Sequence, residues 1–232
     1  MDREELLRIS ANNNPDLEFL KHIQEEIAKK VVFRDEFSVP VEYLGGVDSA
    51  YINDVAVTAC VILQYEDLKL VEKKSITSTL KFPYISTYFV FREGPPILEI
   101  LSKLNRLPTI LMINSQGILH PTLAGCASHI GVLADLPTIG VTQRVLCGSF
   151  ASEPSQIRDW VPIYYQNKVM GAYFLSLKRN RPIVISPGHR ITLESAVNIV
   201  KNSLRGHKLP EPIYLAHKFA TEEKTRLKRS EH

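Results

Sequence analysis

The sequence predicts an α/β domain with a mixed central sheet flanked by helices, and three observations carry that prediction. Three Val/Ile-rich runs follow one another early in the chain with only short polar turns between them. After them, helical and strand patterns alternate. No repeat, low-complexity tract or Gly/Ser linker divides the 232 residues, so 1–232 reads as a single domain.

The elements follow in order. Asn14-Pro15-Asp16 supplies helix-start chemistry ahead of the stripe Leu17, Leu20, Ile23, Ile27 and Val31. Tyr43–Ala50, Val55–Tyr65 and Lys69–Thr77 read as strands joined through Asn53-Asp54 and Glu66-Asp67, a three-stranded antiparallel meander. Gly94-Pro95-Pro96 opens a helix through Leu104, because proline is tolerated in a first turn. Thr109–Ile113 is short and wholly apolar, the signature of a strand buried on both faces. A helix over Thr122–Ala134, a strand over Thr138–Val141, and a late strand pair (Gly171–Leu177, Pro182–Ile185) around the basic turn Lys178–Arg181 come next. Thr192 caps a last helix that runs through Leu204 and stops at Gly206. The ends 1–13 and 221–232 are candidates for mobile segments; the basic run after Lys224 reads as a fraying helix end.

Composition narrows the function classes. With 44% hydrophobic and 23% charged residues the chain can bury a large core, yet no run approaches a membrane span. The charged start Met1-Asp2-Arg3-Glu4-Glu5 does not read as a signal peptide, and Cys60, Cys126 and Cys147 read as buried thiols. An intracellular protein, in cytoplasm or nucleus, is therefore expected, with no membrane partner. A net charge of +3 does not by itself indicate nucleic acid. Lys178, Arg179, Arg181 and Arg190 form an acid-free stretch that suits phosphate contacts or a solvated loop about equally.

Polar residues interrupt the apolar pattern at a few places. Asp48 stands within an apolar strand, where an unpaired acid is costly to bury. Glu93 lies between an aromatic run and a helix start, where acids also complement the helix dipole. Asn114 ends the strand 109–113 and opens Ser115-Gln116-Gly117-Ile118-Leu119-His120, a loop able to aim amides at a ligand. Ser186-Pro187-Gly188-His189 and His217 add further polar groups late in the chain. Oxygen donors gathered at strand ends suit a hard divalent cation beside a phosphodiester.

Taken in order, these segments resemble endonuclease V, the inosine-directed nuclease family with a ribonuclease H-like fold. The matching blocks are GVDSAY (46–51), PYISTYFVFREGP (83–95), NSQGILHP (114–121), ASHIGVLADLPTIGV (127–141), ISPGHRITLESAV (185–197) and LPEPIYLAH (209–217). The wording of the meander around Gln64–Lys69 looks closer to eukaryotic members. The resemblance implies cleavage of the second phosphodiester bond 3′ to inosine in single-stranded RNA or DNA, by a monomer using Mg2+ or Mn2+. Asp48, Asn114 and Glu93 would hold the metal, and Glu93, Asn114 and His217 would serve catalysis, His217 through the attacking water. Tyr84 would wedge into the strand beside the extracted base. Ser115, Gln116 and Gly117 would read the base edge, with Arg92, His120 and Gln143 close by.

The chain departs from the family pattern at three points. Asn114-Ser115 replaces an aspartate and glycine, Gln143 replaces a lysine, and Ser86-Thr87 replaces Pro-Gly after the wedge. Asparagine keeps a carbonyl oxygen but loses a charge, and Gln143 removes a cation that would stabilise the phosphate. Each such electrostatic contact is worth about 3–4 kcal/mol in a transition state. Ser115 would crowd the base pocket. A noncatalytic nucleic-acid-binding descendant is accordingly the second expectation. An unrelated α/β enzyme using His120, His189 or Cys147 is a third.

Overall fold

The computed structural model describes residues 1–178 and 181–230. Eight strands form one sheet in the order β3-β2-β1-β4-β5-β8-β7-β6. The strands are β1 (Tyr43–Ile52), β2 (Val55–Gln64), β3 (Leu70–Thr79), β4 (Ile110–Ile113), β5 (Thr138–Thr142), β6 (Trp160–Tyr165), β7 (Lys168–Phe174) and β8 (Ile183–His189). The meander β1–β2–β3 is antiparallel, β1, β4 and β5 run parallel, and β5, β8, β7 and β6 are again antiparallel. Six helices accompany them: α1 (Arg3–Ser10), α2 (Leu17–Ala28), α3 (Phe89–Ser102), α4 (Cys126–Ala134), α5 (Leu193–Asn202) and α6 (Glu211–Ser230).

Strand periodicity sorts the core into two layers. In β4, Ile110 and Met112 join Leu44, Ile139 and Val141 beneath Val197, Val200 and Ile213 of α5 and α6. Leu111 and Ile113 face the other way, with Val47 and Ile62, against Leu6, Leu20, Phe91, Ile97 and Ile130 of α1 to α4. β4 is buried at every position, which is why its sequence shows no alternation.

Four expectations shift. The helix expected from Gly94 begins at Phe89, so the prolines sit inside α3 and Glu93 belongs to the helix rather than to a helix start or strand end. Buried Val90 and Phe91 extend the helical stripe backwards, and packing outweighs the two N–H groups lost at Pro95 and Pro96. The helix expected from Thr122 begins at Cys126, because His120–Gly125 is folded into a turn held by its own backbone bonds. The late strand expected to end at Ile185 continues through Ser186–His189 as β8. α5 is capped by Thr192 as expected but ends at Asn202. Arg3–Ser10 forms α1, with Leu6 buried, and α6 continues through 221–230; Arg179 and Asn180 of the basic turn, and residues 231–232, lie outside the described residues. Among the described residues, no helix is long and apolar enough to cross a membrane.

Candidate active site

The site forms where β1 outlasts its neighbour. β4 ends at Ile113, opposite Val47, while β1 runs on to Ile52. Beyond that point the sheet no longer separates its two faces. Successive β1 side chains then point to opposite sides, Asp48 towards α6 and Ser49 towards α3.

On the α6 side, Nδ1 of His217 is 2.7 Å from Asp48 Oδ2. The helix reaches this position because β1 carries Gly46: a Cβ there would fall 2.2 Å from the backbone C and O of Pro212. Ala50, Ala59 and Ala220 keep the next turn of α6 equally close. The carboxylate beside it raises the His217 pKa above the ordinary imidazole value. The other Asp48 oxygen, Oδ1, accepts from Asn114 Nδ2 at 3.0 Å. Asn114 is fixed in turn by its backbone N–H, which donates to Val47 O at 3.3 Å.

On the α3 side, Glu93 is 2% exposed. Ser49 donates to its carboxylate, and Ser49 Oγ lies 2.8 Å from Thr58 Oγ1. The Oε1 atom is buried without a hydrogen-bond partner. Burial, opposed by the Ser49 bond and reinforced by the nearby Asp48 charge, pushes the Glu93 pKa up to about 8. Asp48, Ser49, Tyr51, Phe89, Glu93, Asn114 and His217 line one cavity of about 230 Å3. Among the described residues no three His, Cys, Asp or Glu side chains form a metal cluster, so any third protein donor is the Asn114 amide. The available set of two carboxylates and one amide carbonyl is all oxygen, and it includes the unpartnered Glu93 Oε1; these suit a hard cation such as Mg2+.

Asn114 and Phe89 also line a second cavity, about 390 Å3, with Tyr84, Ser86, Ser115, Gln116, Gln143 and Arg144. Tyr84 is 69% exposed on its rim. The loop from Asn114 is clamped by glycines: a Cβ at Gly140 would come 2.4 Å from Gly117 N, and one at Gly125 2.5 Å from Gln116 O. Its amides are largely committed, since Ser115 N donates to Ile113 O, Ile118 N to Pro187 O, and Gly117 N to Ser186 Oγ at 2.8 Å. Among the described residues the Gln116 and Leu119 N–H groups of this loop have no acceptor, and Gln116 lines the cavity. Ser115 lines the cavity and lies beside the buried Cys126 thiol.

The remaining site candidates hold this frame. His120 is buried, with Nε2 2.9 Å from Thr87 O and Nδ1 2.9 Å from Thr122 Oγ1, and burial lowers its pKa to about 4. A carbonyl only accepts, so Nε2 carries the proton and His120 is a neutral brace. Gln24 of α2 also donates to Thr87 O at 2.8 Å, a contribution the sequence gave no sign of. Arg92 donates to Phe82 O and lies over the Tyr51 ring. Both ties secure the segment that presents Tyr84. Gln143 accepts from Lys208 Nζ at 2.8 Å. The residues of the third expectation are placed elsewhere: His189 Nδ1 accepts from Val32 N, and burial pushes the Cys147 thiol up to about 11.

The chain is similar in sequence and fold to known proteins. The model of the endonuclease V family matches residues 25–218. An endonuclease V of Rippkaea orientalis is 39% identical over 207 residues, covering 88% of this chain and 90% of the relative. The solved catalytic domain of human endonuclease V superposes with a TM-score of 0.85 at 30% identity, covering 92% of this chain and 98% of that one. Ciona intestinalis endonuclease V, solved with a 24mer DNA containing an inosine followed by a ribo-adenosine, superposes with a TM-score of 0.80 at 28% identity, covering 91% and 98%. The chain therefore belongs to the endonuclease V family of nucleases, whose ribonuclease H-like architecture it shares.

Proposed function

We propose that the protein is a metal-dependent endonuclease that cuts the second phosphodiester bond 3′ to inosine in single-stranded RNA or DNA. The observation that carries the reading is the convergence of Asp48, Glu93, Asn114 and His217 on one cavity, beside a second cavity with an exposed aromatic on its rim. The inosine-containing DNA bound by the Ciona relative supports the substrate class.

Asp48, Glu93 and the Asn114 carbonyl would hold Mg2+, with Mn2+ a substitute. Bound there, the ion supplies charge neutralisation and polarisation at the phosphodiester. To take part, Asn114 turns its amide so that Oδ1 replaces Nδ2 towards the cavity. Glu93 gives up a proton that burial otherwise keeps on it near neutral pH. His217, tied to Asp48 through Nδ1, keeps Nε2 for a water and positions or deprotonates it. Tyr84 stacks where the base leaves the strand and offsets part of the unstacking cost. The Gln116 N–H is available for the base edge. All these groups come from one chain, so a monomer suffices.

The hydrogen bond from Asn114 to Asp48 favours a second reading, a nucleic-acid binder that no longer cuts. Incubating end-labelled inosine oligonucleotides and adenosine controls, RNA and DNA, with the protein in Mg2+ or Mn2+ separates the two. The endonuclease gives an inosine-dependent product one nucleotide longer than a cut beside the base. Binding with no cleavage above an Asp48→Ala control leaves only the second reading.

A further inference from the structure

Lys208 is placed unlike the ion-paired lysines of this surface. Lys21, Lys29, Lys74, Lys103 and Lys218 each lie within 4.0 Å of a glutamate. The Lys208 ammonium instead donates to a neutral amide, Gln143 Oε1, at 2.8 Å, and among the described residues no carboxylate approaches it within that range. Its main chain is held as well. The Lys208 carbonyl accepts from Ser176 Oγ at 2.5 Å, and the next two residues, Leu209 and Pro210, are buried. A long side chain fixed at both ends has given up rotamer freedom for one exposed hydrogen bond, a poor exchange for stability alone.

Its location gives the restraint a use. β4 and β5 are parallel neighbours with Ile113 paired to Gly140, so Asn114 and Gln143 leave the sheet along the same edge and line the same cavity. Arg144, also without an acidic partner among the described residues, lines it too. Arg144 thus lines this cavity and Lys208 reaches its Gln143 wall, next to the cavity that holds Asp48 and Glu93. The exposed ring of Tyr84 lines the same cavity. A phosphate backbone running along this edge would meet both cations.

Resting on the endonuclease reading, we infer that Lys208 is a phosphate-binding residue that grips the backbone of the bound single strand, and that Gln143 is the positioning residue that aims it. The ammonium arrives from the α5–α6 connection, far in sequence from the cavity loops it serves.

The test is binding of a fluorescent single-stranded inosine oligonucleotide in EDTA, where cleavage cannot intervene, measured across a salt series, with thermal unfolding as a check on folding. Lys208→Gln weakens binding several-fold at 0.1 M salt and reduces the slope of log K against log salt by about 0.7, one phosphate contact on a single strand. Lys208→Arg restores the slope. Gln143→Leu keeps the slope but loses affinity, because the charge persists without its guide. Lys30→Gln, outside the cavity, changes neither. A Lys208→Gln protein with the wild-type slope and affinity overturns the inference while the endonuclease reading stands. A wild-type protein that binds no oligonucleotide overturns both.

Discussion

The side-chain amide of Asn114 donates to Asp48 Oδ1 at 3.0 Å, so the two groups that end β4 and interrupt β1 are directly joined. An aspartate at 114 would set two carboxylates face to face. Asn114→Asp is therefore expected to destabilise the metal-free protein by about 1–3 kcal/mol, the cost of losing a part-buried hydrogen bond and adding a like charge. That corresponds to a fall in Tm of roughly 2–10 °C for a chain of this length. Added Mg2+ should raise the variant's Tm more than the wild type's, read by scanning calorimetry with and without the ion.

Glu93 carries the opposite imbalance. Its folded pKa, about 8, is raised from 4.5, so the unfolded chain releases this proton at lower pH than the folded one. The sign follows: Glu93 costs nothing below about pH 4.5, and its cost grows as pH rises towards 8. At pH 7 the penalty is on the order of 3 kcal/mol. Glu93→Gln is expected to stabilise the metal-free protein, more at pH 8 than at pH 5, while abolishing cleavage. Chemical denaturation at the two pH values checks this; equal stabilisation at both would show that the buried carboxyl titrates normally.

Gly46 and Pro212 make the contact that sets α6 against β1. Gly46→Ala forces a methyl into the Pro212 backbone. We expect a loss of about 1–3 kcal/mol, as for other overpacked cores, together with loss of the 2.7 Å contact between His217 and Asp48. Losing that carboxylate neighbour returns the His217 pKa towards its ordinary value, a downward move visible by NMR titration.

Tyr84 is expected to behave in the reverse manner. It is 69% exposed, so Tyr84→Ala should leave Tm unchanged. Binding of a single-stranded inosine oligonucleotide should weaken by about 1–3 kcal/mol, the value of one stacked base. Unfolding and anisotropy measurements on the same preparation distinguish the two effects.

The meander and α5 were legible because Val/Ile runs, turn residues and a Thr cap act within a few residues of one another. Asp48 was legible because a charge in an apolar strand requires a reason. α3 was misplaced because Pro95 and Pro96 mark first turns in most helices, and only the packing of Val90 and Phe91 carries this one further back. β6 went unseen because Trp160 and Tyr164 are exposed and Pro162 interrupts it, features that suit an edge strand and resemble a loop. Pro187 and Gly188 concealed the second half of β8, beyond the strand expected to end at Ile185, although Pro187 O and Ser186 Oγ bind the cavity loop. Gln24 and Lys208 could not be read locally, since each meets its site partner more than 60 residues away in sequence.

The account stands on Asn114 being a working member of the site rather than the mark of a lost one. The most direct test compares wild type, Asn114→Asp and Asp48→Ala on one inosine-containing single strand in Mg2+, with product ends mapped at single-nucleotide resolution. We expect wild type to cut at the second bond 3′ to inosine, Asn114→Asp to cut the same bond at least tenfold faster, and Asp48→Ala to be silent. Silence in wild type with strong cleavage by Asn114→Asp would contradict native catalysis.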